Sequence, residues 1–158
     1  MKRPSTKSLM RAMIEDDLVR HEGYVERIYL CSEGYKTFGV GHMVRPDELE
    51  YSWPVDTPVS SVRCQQAFSE DLDTALNDAY MLVKDLDEHP LNVQRVIVNM
   101  AFNLGYSRLK GFKRMLAAVV DRDYARAAIE MEDSKWYGQV GRRSKELCRL
   151  MEWASDES

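Results

Sequence analysis

"HEGYVERIYLCSEGYKTFGVGHMV", residues 21–44, decides how this chain is read. It begins where a helical pattern stops and the hydrophobic period changes. Upstream, Met10, Ile14 and Leu18 recur at helical spacing, which predicts a helix from about Ser8 to Glu22 with Gly23 as a left-handed cap. Downstream, "RIYL" and "KTFGVGHMV" flank the turn "CSEGY", a hairpin signal with Glu33-Gly34 at its tip. Alternation puts Arg27, Tyr29 and Cys31 on one strand face and Ile28 and Leu30 on the other. On the return strand Phe38 and Val40 share a face, while Thr37, Gly39 and Gly41 share the opposite one. A face carrying glycines has no side chains to block a ligand, so Thr37 and Cys31 are expected to meet over an open floor.

The rest of the chain reads as helical. "RPDELEYSWPVDTP" is a proline-bearing loop. Ser60 then caps a long helix whose stripe includes Ala67, Phe68, Leu72, Ala75, Leu76 and Ala79. A further helix opens near Pro90 and closes at Gly105. Leu109, Phe112, Leu116 and Val119 mark another, and "YARAAIEM" and "RSKELCRLMEW" mark two more. The expected architecture is α+β and mostly α. A small β lobe over about 23–60 leads to a connecting helix over about 60–84 and a helical lobe over about 85–155. Residues 12–158 form one domain in this reading, after a flexible basic lead-in over 1–11.

Composition narrows the function classes. The 44% hydrophobic and 30% charged content reads as a globular chain able to bury a core. The longest apolar run, "MLAAVV", is far short of a membrane span. No apolar signal region follows the start, so export by the Sec route is not expected. Cys31, Cys64 and Cys148 form no CxxC pair, which predicts free thiols in a reducing compartment. His21, His42 and His89 share no ligand spacing with them, so neither a metal nor a cofactor is expected. A net charge of −4 lacks the basic footprint of a nucleic-acid binder. Lys2, Arg3 and Lys7 concentrate positive charge at the start, where attraction to an anionic wall or membrane is one use.

The chemistry centres on three side chains. Glu22 ends the first helix, where the negative end of the dipole disfavours an ionised carboxylate. A protonated carboxyl is what a general acid requires. Each residue also has a plainer reading: Glu22 as a solvated glutamate, Cys31 as a small packed hydrophobe, Thr37 as a strand former.

The order Glu22, eight residues, Cys31, five residues, Thr37 resembles the catalytic signature of the phage-type lysozymes, the family of T-even phage lysozyme. Many members of that family carry aspartate where this chain has Cys31. The surrounding "HEGYVERIYLCSEGYKTFGVGHMV" matches the family's "EG…IY…EGY.T.G.GH", and the likeness continues through "FSEDLD", "NMAFNLG", Gly111-Phe112 and "SKWYGQVGRR". It covers about residues 12–155.

The resemblance implies a muramidase that hydrolyses the β-1,4 bond between N-acetylmuramic acid and N-acetylglucosamine in peptidoglycan. It implies a two-lobed, lysozyme-like fold with the substrate cleft between the lobes. It also implies a monomeric endolysin that waits in the host cytoplasm until a holin opens the membrane, with no nucleic-acid partner. Glu22 matches the general acid, and Thr37 matches the threonine that helps to place the attacking water. Gly41, Met43 and Asn103 match cleft-lining positions, and Arg143 matches an arginine that approaches the catalytic glutamate. His42 and Asp71 match a structural ion pair, and Trp136 matches a tryptophan packed beneath the cleft. Glu26 and Glu33 are rival carboxylates that lack the family position. Two other functions stay open at this level: a lytic transglycosylase acting on the same bond, and a wall-binding protein on an inactive scaffold.

Overall fold

The computed structural model describes residues 5–157. Eight α-helices and one small antiparallel sheet make up the described chain, so the fold is α+β and mostly α, of lysozyme-like type. It divides into two compact units, one formed by Glu15–Asp73 and the other by the chain up to Ile14 together with Thr74 onward. Helices α1, Thr6–Glu22, and α2, Ser61–Leu82, each contribute to both. No described helix is long and apolar enough to cross a membrane.

Helix α1 starts earlier than its apolar pattern. Ser5 Oγ accepts the Ser8 amide at 3.1 Å, an N-cap that precedes the first periodic residue. Of the lead-in expected over 1–11, residues 6–11 are helical and Met10 is buried, and residues 1–4 lie outside the described residues. Lys7 lies exposed on this helix, whereas Lys2 and Arg3 fall outside the described residues. At the other end Gly23, at φ +79°, closes the helix by donating to the Val19 carbonyl at 2.8 Å.

In the unit Glu15–Asp73 the strands β1, Val25–Leu30, β2, Lys36–Gly39, and β3, His42–Met43, pair in that order. Tyr29 faces Thr37 and Leu30 faces Lys36 across the first hairpin, while Phe38 faces His42 across the second. The single return strand expected over 36–44 is thus two strands. Gly39 and Gly41 adopt φ of +64° and +62°, which ends β2 and turns the chain at Val40. Ile28, Phe38, Val44, Val59, Cys64 and Ala67 form this unit's core, with Trp53 packed against it. Ser60 Oγ caps α2 through the Arg63 amide at 3.2 Å.

In the helical unit α3, Leu91–Leu104, runs from Pro90 to Gly105. It packs on α8, Arg142–Glu157, which also packs on α6, Tyr124–Glu132. The helix expected around Leu109–Val119 is split into α4, Tyr106–Lys110, and α5, Lys113–Val120, because tight turns close on the Arg108 and Leu109 carbonyls at Gly111 and Phe112. Helix α7, Lys135–Val140, has only six residues and shows no apolar period; Ser134 caps it through the Tyr137 amide.

Candidate active site

Glu22 occupies the last position of α1, half-buried, with its carboxyl lying against the turn between β2 and β3. A Cβ placed on Gly41 would stand 2.5 Å from Glu22 Oε2 and 3.1 Å from Cδ. Glycine at 41 therefore permits both the left-handed turn and the close approach of the carboxyl. The expected open floor is corrected here. A Cβ on Gly39 would lie 3.3 Å from the Cβ of Cys64, and Thr37 is buried, so these positions serve close packing and not open space.

Cys31 stands at the mouth of the first hairpin. Its amide donates to the Tyr35 carbonyl at 2.9 Å, and its own carbonyl accepts from Gly34 at 2.8 Å. The thiol is partly exposed. Burial pushes the thiol up. Hydrogen bonds from the Tyr35 and Glu33 main chain and from the Thr37 hydroxyl oppose that and win, holding it below the ordinary thiol value. With the thiol neutral, Thr37 Oγ1 donates its one proton to the Tyr35 carbonyl at 2.9 Å. The other two cysteines are different. Burial pushes Cys64 up, and burial with the nearby acids Glu132 and Glu152 pushes Cys148 up to about 12. Of the rival acids, Glu26 is exposed and accepts from Tyr24 at 2.7 Å, and Glu33 is exposed in the hairpin turn.

His42 is buried between two carboxylates. Its Nδ1 lies 2.7 Å from Asp71 Oδ2, and its Nε2 lies 2.9 Å from Glu48 Oε1. An ionised carboxylate only accepts, so the arrangement suits a ring with hydrogen on both nitrogens and favours its charged form. Desolvation alone would lower the histidine, but the bonds to Asp71 and then Glu48 outweigh it and raise it. Glu48 is the residue that sequence reasoning missed. Its carboxylate also accepts from the Arg45 amide at 2.8 Å and from Arg63 at 2.7 Å. Arg63 in turn binds buried Glu50 at 2.6 Å. The signal in sequence was a pair of glutamates in a proline-bearing loop, a pattern that reads as solvated charge.

Three further predicted residues lie in the helical unit. Arg143 is buried, and its Nε donates to Asn99 Oδ1 at 2.8 Å. Trp136 is buried and donates from Nε1 to Asn103 Oδ1 at 2.9 Å, with its ring edge-on to Phe112. Trp136 and Phe112 wall a cavity of about 880 Å³ that Arg108, Lys113, Arg114 and Lys135 also line. Met43, by contrast, lies on β3 in the first unit, half-exposed beside buried His42. Glu22, Cys31, Thr37, Gly41, His42 and Asp71 share that unit.

The phage lysozyme family model matches residues 19–150, a span that runs from before Glu22 to beyond Arg143. The chain belongs to the phage lysozyme family. Membership makes this phage lysozyme homologue a peptidoglycan-hydrolysing enzyme. It is 24% identical to "Probable T4-type lysozyme 2" of Dictyostelium discoideum, over 90% of this chain and 95% of that one. It is 27% identical to "Peptidoglycan hydrolase gp36" of Pseudomonas phage phiKMV, over 85% of this chain but 14% of that protein. It is 24% identical to "Pre-baseplate central spike protein Gp5" of Enterobacteria phage T4, over 85% of this chain and 26% of that protein. The same lysozyme module thus resembles both a protein of about its own length and parts of much larger ones.

Proposed function

We propose that this lysozyme cleaves the β-1,4 bond between N-acetylmuramic acid and N-acetylglucosamine, with Glu22 as the proton donor. The observation that carries the reading is the unit Glu15–Asp73 itself, which holds Glu22 against the Gly41 turn and joins Cys31 to Thr37 across one hairpin. Glycoside hydrolysis needs an acid on the leaving oxygen and a group that supplies or activates the nucleophile. Glu22 gives its proton to the glycosidic oxygen as the bond from C1 to that oxygen breaks. Cys31 and Thr37 serve the other side of the sugar. Either the Cys31 sulfur attacks C1 and water later releases the sugar, or the pair orients a water that attacks directly.

Gly41, Met43, Asn103 and Arg143 are the positions that contact the glycan in this reading. His42, Asp71 and Trp136 support them. The enzyme acts as a monomeric endolysin, held in the host cytoplasm until a holin releases it to the wall, where it lyses the host.

Clearing of outer-membrane-permeabilised Gram-negative cells tests the activity, and mass spectrometry of digested peptidoglycan identifies the chemistry. A muramidase leaves hydrated reducing ends. A lytic transglycosylase leaves anhydro ends lighter by one water, and that product would overturn the hydrolytic reading. No clearing and no released fragments would leave only a wall-binding role.

A further inference from the structure

Phe38 and His42 close the turn that carries Gly39, Val40 and Gly41. Four side chains form a closed ring around that stem. The Arg63 guanidinium sits over the Phe38 ring, 5.4 Å from its centroid. The Phe38 and His42 rings lie 4.9 Å apart. His42 Nε2 bonds Glu48 at 2.9 Å, and Glu48 bonds Arg63 at 2.7 Å. A second anchor runs from His42 Nδ1 to Asp71 at 2.7 Å. Arg63 and Asp71 both stand on α2, so the ring ties the turn to a helix.

Glu48 is the member on which the ring depends. Its two oxygens accept from His42, from Arg63 and from the Arg45 amide. Its side chain is 8% exposed, so water is a poor substitute for any of these partners. Gly41, the residue next to His42, is the one whose Cα lies under the Glu22 carboxyl. A shift of His42 therefore moves the surface against which Glu22 rests.

We propose that Glu48 is a positioning residue for the reaction: by clamping His42 and Arg63 it fixes the Gly41 main chain beneath the Glu22 carboxyl. This rests on the reading of Glu22 as the proton donor. Glu48 touches neither the sugar nor the reacting atoms. Its effect reaches the site through about one residue of main chain, and displacements of about 1 Å at a reacting group cost up to about 100-fold in rate.

The test compares Glu48→Ala, Glu48→Gln and Arg63→Gln with the wild type on soluble peptidoglycan fragments, at a temperature where circular dichroism shows each variant folded. Glu48→Ala is expected to lower kcat about tenfold or more with KM within about twofold. Glu48→Gln keeps an acceptor oxygen and is expected to recover much of that loss. The Gly41 amide resonance is expected to move in Glu48→Ala and to return toward its wild-type position in Glu48→Gln. A folded Glu48→Ala with wild-type kcat and an unmoved Gly41 resonance would overturn the proposal. If Glu48→Ala does not fold, Arg63→Gln decides, because it opens the ring while leaving His42 bonded to Glu48 and Asp71. A wild-type kcat and Gly41 resonance there would equally overturn it. Absence of turnover in the wild type would instead remove the proposed function, and the Gly41 resonance would still report whether the clamp exists.

Discussion

The Thr37 hydroxyl gives its one proton to the main-chain carbonyl of Tyr35, 2.9 Å away, and the same hydroxyl is among the groups that hold the Cys31 thiol below its ordinary value. That carbonyl already accepts from the Cys31 amide. A neutral thiol can donate to the Thr37 oxygen in this state. A thiolate draws the hydroxyl proton to itself, and Tyr35 keeps its amide donor. Ionising Cys31 therefore strands no buried polar group.

Cys31→Ala should lose most activity and Cys31→Asp should keep a substantial part. Iodoacetamide should inactivate in step with alkylation of Cys31, since its thiol is held low and Cys64 and Cys148 are buried with thiols pushed up. Peptide mapping against residual activity checks this; inactivation that tracks Cys64 or Cys148 would refute it. Retained anomeric configuration in the first product points to attack by sulfur, and inversion points to water.

Glu22→Gln keeps the shape of the side chain and removes the proton to be donated. Activity should fall roughly 10²–10⁴-fold with the melting temperature nearly unchanged. Lysis above a tenth of the wild-type rate would remove Glu22 from its role.

Gly41→Ala combines two penalties. The left-handed backbone at φ +62° costs a side chain about 1–2 kcal/mol. The new methyl also meets Glu22 Oε2 and must displace the carboxyl. Gly34→Ala carries the backbone penalty alone, at φ +85° with nothing within 4 Å of the new carbon. Turnover should fall much further in Gly41→Ala than in Gly34→Ala at comparable loss of stability. Equal losses of turnover would show that strain, not contact with Glu22, is responsible.

His42→Asn should lower stability by about 3 kcal/mol, since it takes a buried partner from both Asp71 and Glu48 and leaves Glu48 only its bonds to Arg45 and Arg63. The folded chain holds the histidine above its unfolded value, so its contribution is complete below about pH 6.5 and fades as pH rises through the raised folded value. Glu48 is held low by the Arg45 amide and by His42 against the pull of burial, so its share fades as pH falls through that lowered value. Melting temperatures of both proteins between about pH 4 and 9 should differ most on the mildly acidic side and converge at alkaline pH. A constant difference would refute the ion-pair account.

Tyr124→Phe tests a separate cluster. The Tyr124 hydroxyl meets buried His89 Nδ1 at 2.7 Å, while His89 Nε2 meets Asp85 at 3.1 Å and Arg122 binds Asp85 at 3.1 Å. Losing the hydroxyl should cost about 1–3 kcal/mol and leave kcat unchanged. A loss of kcat without loss of stability would show that this cluster belongs to the reaction.

Helices whose ends carry local signals were legible in sequence. Gly23 closes α1, Ser60 opens α2, and α3 lies between Pro90 and Gly105. The break at Gly39–Gly41 was not, because alternating apolar and small residues satisfy the strand period whether or not the chain turns. Helix α7 is too short to show a period. The influence of Thr37 on the Cys31 thiol and the approach of the Glu22 carboxyl to Gly41 both lie within one continuous segment, where local spacing in the sequence can be read. Glu48 depends on Arg63, fifteen positions away, and its role arises only from tertiary packing.

The division of α1 between two units sets an order of events during synthesis. Residues 6–14 belong with Thr74 onward, yet they leave the ribosome first. At about 5–20 residues per second, the stretch from Thr74 to Ser158 takes roughly 4–17 s to emerge after Asp73. The segment Glu15–Asp73 is then complete and free to close on its own core while its leading helix half waits unburied. Met10 and Ile14, buried in the finished protein, are in that interval exposed apolar surface that a chaperone can hold or a neighbouring nascent chain can capture.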